Sequence, residues 1–231
     1  FTGPVLAVNP KYRELDGQAV FARAADLPAV PDLAVICTPP AVVAPLIAEL
    51  GALGTRAAVV LSAGLDAAQK AAMQAAARPH LLRILGPNCI GLLVPHLGLN
   101  ASFAQTDALP GELAFVSQSG ALTASMLDWA GRNAIGFSAV VSLGPNTSVD
   151  IAQVLDFLAS DARTQSIIVY LEGIASARRF MSALRSAASA KPVVVLKAGR
   201  QPAGNKAAQT HSGAIVGSDD VFDAALRRAG A

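Results

Sequence analysis

His211 is the residue around which a chemistry can be assembled. It sits in the stretch Lys197–Gly217, Lys-Ala-Gly-Arg-Gln-Pro-Ala-Gly-Asn-Lys-Ala-Ala-Gln-Thr-His-Ser-Gly-Ala-Ile-Val-Gly, which follows an apolar run. Little bulk surrounds the imidazole there, so it can be presented to a reactant and moved, which makes it a candidate nucleophile. Read from this loop alone, a surface histidine without a task is the alternative. A histidine that accepts a phosphoryl group must be neutral and must offer one ring nitrogen while an acceptor holds the other N–H. Glu172, just past the apolar run Ser166–Leu171, is placed to be that acceptor, although it could equally cap a helix or face solvent. The phosphoryl group then needs anion stabilisation. Ser119-Gly120-Ala121, at a strand–turn–helix transition, offers free helical N–H groups for that purpose without an obligatory metal. A plain N-cap by Ser119 is the other reading of that turn.

These residues must be positioned by a sheet. Short apolar runs at Val5–Val8, Leu33–Cys37, Ala57–Leu61 and Leu82–Leu85 read as strands, with helices expected over Val42–Leu53 and Asp66–Ala77. From Gly91 to Leu109 the alternation lapses, and His96, Asn100 and Gln105 fall in an apparent connection. A second series follows: strands Leu113–Ser117, Phe137–Ser142, Ser166–Leu171 and Pro192–Lys197, and helices Leu122–Asn133, Ile151–Ser160, Ala177–Ala190 and Asp219–Arg228. The pattern predicts an α/β protein of two consecutive doubly wound parallel-sheet domains, over residues 1–99 and 109–231. Ligands of such sheets lie at the carboxyl ends of strands. Here those ends carry Lys11, Thr38, Pro39, Ser62, Gly64 and Asn88 in the first series, small or polar residues that let a backbone approach a ligand. Taken singly they are also ordinary turn residues.

Composition removes whole classes of function. The chain of 231 residues is 53% hydrophobic and 15% charged, enough for one large or two ordinary cores. A net charge of +2 with few aromatics leaves no basic stripe, so nucleic acid is not an expected partner. Every apolar run is interrupted before the roughly 18 residues of a membrane span. Cys37 and Cys89 are too few for a disulfide framework or a zinc site; with no secretory signal at Phe1, a reducing, cytoplasmic setting is expected. A strand almost at the first residue, with no initiating methionine, leads us to expect further sequence upstream.

Four motifs occur in a telling order: Gly86-Pro87-Asn88-Cys89-Ile90-Gly91; Gly111-Glu112 with Ser117-Gln118-Ser119-Gly120-Ala121-Leu122; Tyr170-Leu171-Glu172-Gly173-Ile174; and Thr210-His211-Ser212-Gly213-Ala214. Together they resemble the motifs of the ADP-forming acyl-CoA synthetases, relatives of the alpha subunit of succinyl-CoA synthetase. The resemblance implies a Rossmann-like CoA-binding domain followed by a flavodoxin-like domain with a phosphorylated histidine. It assigns that role to His211, its support to Glu172, and phosphate binding to Ser119, Gly120 and Ala121. Lys11 matches a position that contacts CoA phosphates, and Thr38, Pro39, Ser62, Gly64 and Asn88 fall on loops lining the CoA site. Coenzyme A or acyl-CoA, phosphate and a small carboxylic acid are the implied ligands. ATP or ADP with Mg is implied only through an ATP-grasp domain or beta subunit, in an oligomeric assembly. The sequence departs from many relatives at Gly144-Pro145-Asn146-Thr147, where they carry a Gly-Asn pair. A sensing module fused to a GNAT-type protein lysine acetyltransferase is the alternative, and a dinucleotide-dependent oxidoreductase a third reading that rests on fold alone.

Overall fold

The computed structural model describes residues 1–145, 148–199 and 219–231. Its first layer is a three-stranded parallel sheet of β4 (Leu33–Ile36), β5 (Ala57–Val60) and β6 (Arg83–Leu85), in the order β4-β5-β6. Helices α1 (Pro40–Leu53) and α2 (Ala67–Ala77) cover one face of it. Pro40 opens α1 where its missing N–H costs nothing, and Asp66 opens α2 through a reciprocal capping box with Gln69 (2.8 and 2.9 Å). Alternation along the strands then sorts the side chains. Ile36, Ala58, Val60 and Ile84 meet the helices, whereas Val59 and Leu85 point the other way.

A small sheet precedes this layer, in the order β1-β3-β2: β1 (Ala7–Val8), β2 (Glu14–Leu15) and β3 (Gln18–Phe21). The strand expected over Val5–Val8 is thus short, and the β2–β3 hairpin was not anticipated. Its strands are short and largely exposed, though Val20 is buried, and Asp16-Gly17 forms the two-residue turn, both residues at positive φ (48° and 77°). An Asp-Gly turn is the strongest short-range hairpin signal.

The main sheet has six strands in the order β12-β11-β9-β10-β7-β8. β9 (Leu109–Ser117), β10 (Gly136–Ser142), β11 (Ser166–Leu171) and β12 (Val193–Lys197) run parallel, with Val116 opposite both Val141 and Val169. Helix α3 (Gly120–Arg132) covers one face, where Phe115, Leu127 and Phe137 are fully buried. Helices α4 (Ile151–Ser160), α5 (Ala177–Ala190) and α6 (Asp219–Ala229) contribute Leu155, Phe180, Leu184 and Leu226 to the core on the other. Fully burying a side chain of this size contributes about 1.5–3 kcal/mol.

The stretch 91–109, expected as an irregular connection, instead contributes two strands to this sheet. β7 (Gly91–Val94) pairs antiparallel to β10, and β8 (Leu99–Ser102) pairs antiparallel to β7. Parallel βα periodicity carries no information about a hairpin added at the edge, which is why the pattern seemed to lapse. His96 lies in the turn between them with Nε2 2.9 Å from the Gly111 carbonyl, and Asn100 donates to Asp107 (2.5 Å).

The two units share a core. Val59, Leu85 and Cys89 pack with Val141, Leu143 and Leu155 in a single apolar cluster. Two backbone donors cross the junction: Ile90 N–H bonds Ser142 Oγ (3.1 Å), and Val149 N–H bonds the Ile84 carbonyl beside β6 (2.9 Å). Gly144 sits at φ +61°, and a Cβ there would lie 2.9 Å from the Asn88 carbonyl oxygen and closer still to that of Pro87. No helix among the described residues is long and apolar enough to cross a membrane.

Candidate active site at the strand ends

At the carboxyl ends of β4, β5 and β6, three loops are tied together. Ser62, buried, donates its hydroxyl proton to the Thr38 carbonyl (2.6 Å), and Asn88 N–H donates to the Ser62 carbonyl (3.0 Å). Gly64 (φ +80°) brings its backbone near the Pro40 ring, 4.0 Å from where a Cβ would stand. Pro39, exposed, is the N-cap of α1, and Asn88, also exposed, holds φ +55°. The fold therefore brings Thr38, Pro39, Ser62, Gly64 and Asn88 to one edge. Within it the Thr38 Oγ1 atom is buried with no hydrogen-bond partner among the described residues. Such an atom suits a ligand that supplies its missing partner. Lys11 is exposed, with its backbone N–H on Asn9 Oδ1 (2.9 Å), and no hydrogen bond among the described residues links it to the three loops.

The second cluster lies at the carboxyl ends of β9 and β11. Ser117 and Ser119 lock the turn after β9: Ser119 N–H donates to Ser117 Oγ (3.0 Å), and that hydroxyl donates to the Ser119 carbonyl (2.9 Å). Ser119 Oγ then caps α3 by accepting from Leu122 N–H (3.3 Å), so the capping reading of this serine is realised. Gly120 and Ala121 supply the first two helical N–H groups, which helix geometry leaves without an intrahelical acceptor at the positive end of the dipole. Ile90 of the first unit presses on this start, its Cγ1 3.3 Å from where a Gly120 Cβ would be. The helix start thus faces the Gly86–Ile90 turn.

Glu172 is half-buried immediately beyond β11. Its charge, after burial as the larger cause, holds the Tyr170 hydroxyl above its ordinary pKa, which places the carboxylate in the electrostatic neighbourhood of that ring. What joins Glu172 to the helix start is Gln118, a residue that pattern reading did not single out. Its Oε1 accepts from the N–H groups of Glu172 (2.5 Å) and Gly173 (3.0 Å), and its Nε2 donates to the Gly173 carbonyl (2.8 Å). These partners lie 54 and 55 residues away along the chain, and no local pattern announces them. His211 lies outside the described residues, as do Asn146 and Thr147.

Cys89 is enclosed beneath the site. Burial pushes its thiol up to about 12, and its Sγ lies 3.5 Å from the Val60 carbonyl. Cys37 is exposed at the end of β4, and partial desolvation raises its pKa as well. Among the described residues no group of three or more His, Cys, Asp or Glu is gathered as a metal ion would need.

Comparison with known proteins agrees with this geometry. Residues 110–231, more than half of the chain, match the family described as succinyl-CoA ligase like flavodoxin domain, and residues 2–95 match a CoA binding domain. The chain is 39% identical over 237 residues to an ADP-forming acetate–CoA ligase of Archaeoglobus fulgidus, covering 100% of this chain and 34% of the relative. It is 37% identical over 240 residues to the alpha subunit of a Pyrococcus furiosus ADP-forming acetate–CoA ligase, covering 100% of this chain and 52% of the subunit. It therefore spans about a third to a half of these relatives. An acetyl-coenzyme A synthetase of Ca. Korarchaeum cryptofilum, solved in complex with phosphate and ADP, superposes with a TM-score of 0.94 at 36% identity, over 100% of this chain and 51% of that one. With a CoA binding domain in front of it and an anion-ready helix start at its sheet edge, this chain belongs to the succinyl-CoA ligase like flavodoxin domain family.

Proposed function

We propose that this chain is the CoA-binding and phosphohistidine part of an ADP-forming acid–CoA ligase. The observation that carries the reading is the junction at the sheet edge, where the first N–H groups of α3 and the Glu172 turn are tied by Gln118 opposite the Gly86–Ile90 turn. In the proposed cycle inorganic phosphate displaces the CoA thiolate from an acyl-CoA. His211 then takes the phosphoryl group from the acyl phosphate, releasing the carboxylate, and passes it to ADP. The last transfer takes place on an ATP-grasp domain or subunit, and the cycle is reversible.

Each residue has a defined task. Gly120 and Ala121 N–H groups, with Ser119, hold the phosphoryl oxygens; preorganised donors of this kind act on developing charge without reorganising. Glu172 accepts the imidazole N–H on the side away from phosphorus, which fixes the tautomer and stabilises the cationic ring. Coenzyme A, when bound, supplies the activated acyl group as a thioester. Thr38, Pro39, Ser62, Gly64 and Asn88 form the loop edge that receives it, with Thr38 Oγ1 offering an unspent hydroxyl, and Lys11 answers its phosphates.

The test is phosphorylation of the complete enzyme by radiolabelled ATP. An acid-labile, alkali-stable phosphoprotein is expected, abolished in His211→Asn and slowed on the order of 100-fold in Glu172→Gln with the fold retained. Unchanged labelling of His211→Asn would sink the histidine assignment.

A further inference from the structure

β9 leaves the sheet at Ser117, but its ladder does not stop there. Gln118 N–H still donates to the Tyr170 carbonyl (3.2 Å), and its side-chain amide then takes over as a surrogate for the absent strand. One oxygen accepts from two successive N–H groups, of Glu172 and Gly173, while the amide nitrogen donates to the Gly173 carbonyl. On the other side of β11 the last ladder bond among the described residues is Ala198 N–H on the Leu171 carbonyl (2.8 Å). The backbone of Glu172 is therefore held from the β9 side, by a residue adjacent in sequence to the N-cap of α3.

Resting on the function proposed above, we infer that Gln118 is the positioning residue that sets Glu172 against the phosphate-binding start of α3. The residue touches no reacting atom. Its two rigid ends are the β9–α3 turn, fixed by the Ser117–Ser119 bonds, and the first two residues past β11. Without its amide, two N–H groups and one carbonyl at the end of β11 lose their partners. Among the described residues Glu172 then keeps its anchor through β11 alone, and small displacements at such a site are costly: about 1 Å can cost on the order of 100-fold in rate.

The expected signature is non-additivity with Glu172. In the complete enzyme, Gln118→Met, which keeps the length of the side chain and removes every side-chain hydrogen bond, slows phosphorylation by radiolabelled ATP on the order of 100-fold. In the Glu172→Gln background the same change costs no more than about threefold, because a positioning residue has nothing left to position. Near-UV circular dichroism and thermal unfolding establish that each variant is folded. Should Gln118→Met fail to fold, Gln118→Ala, whose small side chain lets water reach the freed N–H groups, takes its place in the same cycle with the same non-additivity expected. Wild-type rates in a folded Gln118 variant, or costs that multiply independently with Glu172→Gln, overturn the role of Gln118 while leaving the phosphohistidine reading standing. Absence of label in the wild-type enzyme overturns both.

Discussion

Gly144→Ala should weaken the junction between the two units, and Gly17→Ala provides the internal control. Both glycines hold positive φ, +61° and +77°, so both substitutions force an L-residue into the left-handed region. That costs roughly 1–2 kcal/mol, offset by about 0.4–1 kcal/mol because the unfolded chain loses freedom. For Gly17 nothing lies within 4 Å of the added methyl, so the net loss is about 0.5–1 kcal/mol. For Gly144 the methyl runs into the carbonyl oxygens of Pro87 and Asn88, backbone atoms that cannot step aside as a flexible side chain would. Relieving the overlap means pushing the Gly86–Asn88 turn away, straining the Asn88–Ser62 bond and the Ile90–Ser142 bond across the junction. Overpacking of this kind adds about 1–3 kcal/mol, giving roughly 2–4 kcal/mol in all. At about 2–4 °C per kcal/mol for a chain of this size, Tm should fall by about 5–15 °C for Gly144→Ala and by about 1–4 °C for Gly17→Ala. Thermal unfolding followed by circular dichroism reads both. Equal shifts in the two variants would refute the claimed contact, since only the shared backbone strain would then remain.

Three further expectations follow from single residues. Under native conditions a thiol-alkylating reagent should modify Cys37 and spare Cys89, which reacts only after denaturation; mass spectrometry counts the labels, and a doubly labelled native chain would contradict the burial. Because the Cys89 pKa is raised to about 12 from 9.0, its contribution to stability is fully present below pH 9 and is lost between pH 9 and 12, as the unfolded thiol ionises first. A Cys89→Ala variant should lose less stability than the wild type across that window. Leu81 holds φ +53° with its side chain 82% exposed, so it carries left-handed strain with little burial to offset it. Leu81→Gly should raise stability by about 0.5–1 kcal/mol, a Tm gain of about 1–4 °C, and a lower Tm would mean that the leucine packs against something.

The regular part of this fold was legible because burial imposes periods. Ile151–Ser160, Ser166–Leu171 and Ala177–Ala190 coincide with α4, β11 and α5 to the residue, since each has an apolar face aimed at one core and a clear boundary. Edges escape a reading of apolar periods. β2 and β3 are held by an Asp-Gly turn rather than by apolar alternation, and β7–β8 joins the sheet through a partner more than forty residues distant, Leu93 opposite Val140. The site divides in the same way. Strand-end residues such as Thr38, Ser62, Asn88, Ser119 and Glu172 announce themselves by position in a βα repeat. Gln118 does not, because its meaning is a tertiary hydrogen bond. The Thr38 hydroxyl, buried without a partner among the described residues, was likewise invisible, for bonding of this kind can be read only from placed neighbours.

The hairpin of β7 and β8 has a practical corollary for anyone recombining chains of this family. It follows the Gly86–Ile90 turn in sequence but completes the sheet of the other unit, and Val149 returns the exchange by bonding beside β6. A crossover after residue 99 would divide β8, set a foreign β7 against β10 and leave Ile84, Ile90 and Leu85 to meet unfamiliar partners. Chimeras that keep this junction should therefore move both units as one piece, because the heritable module here is the interlocked pair.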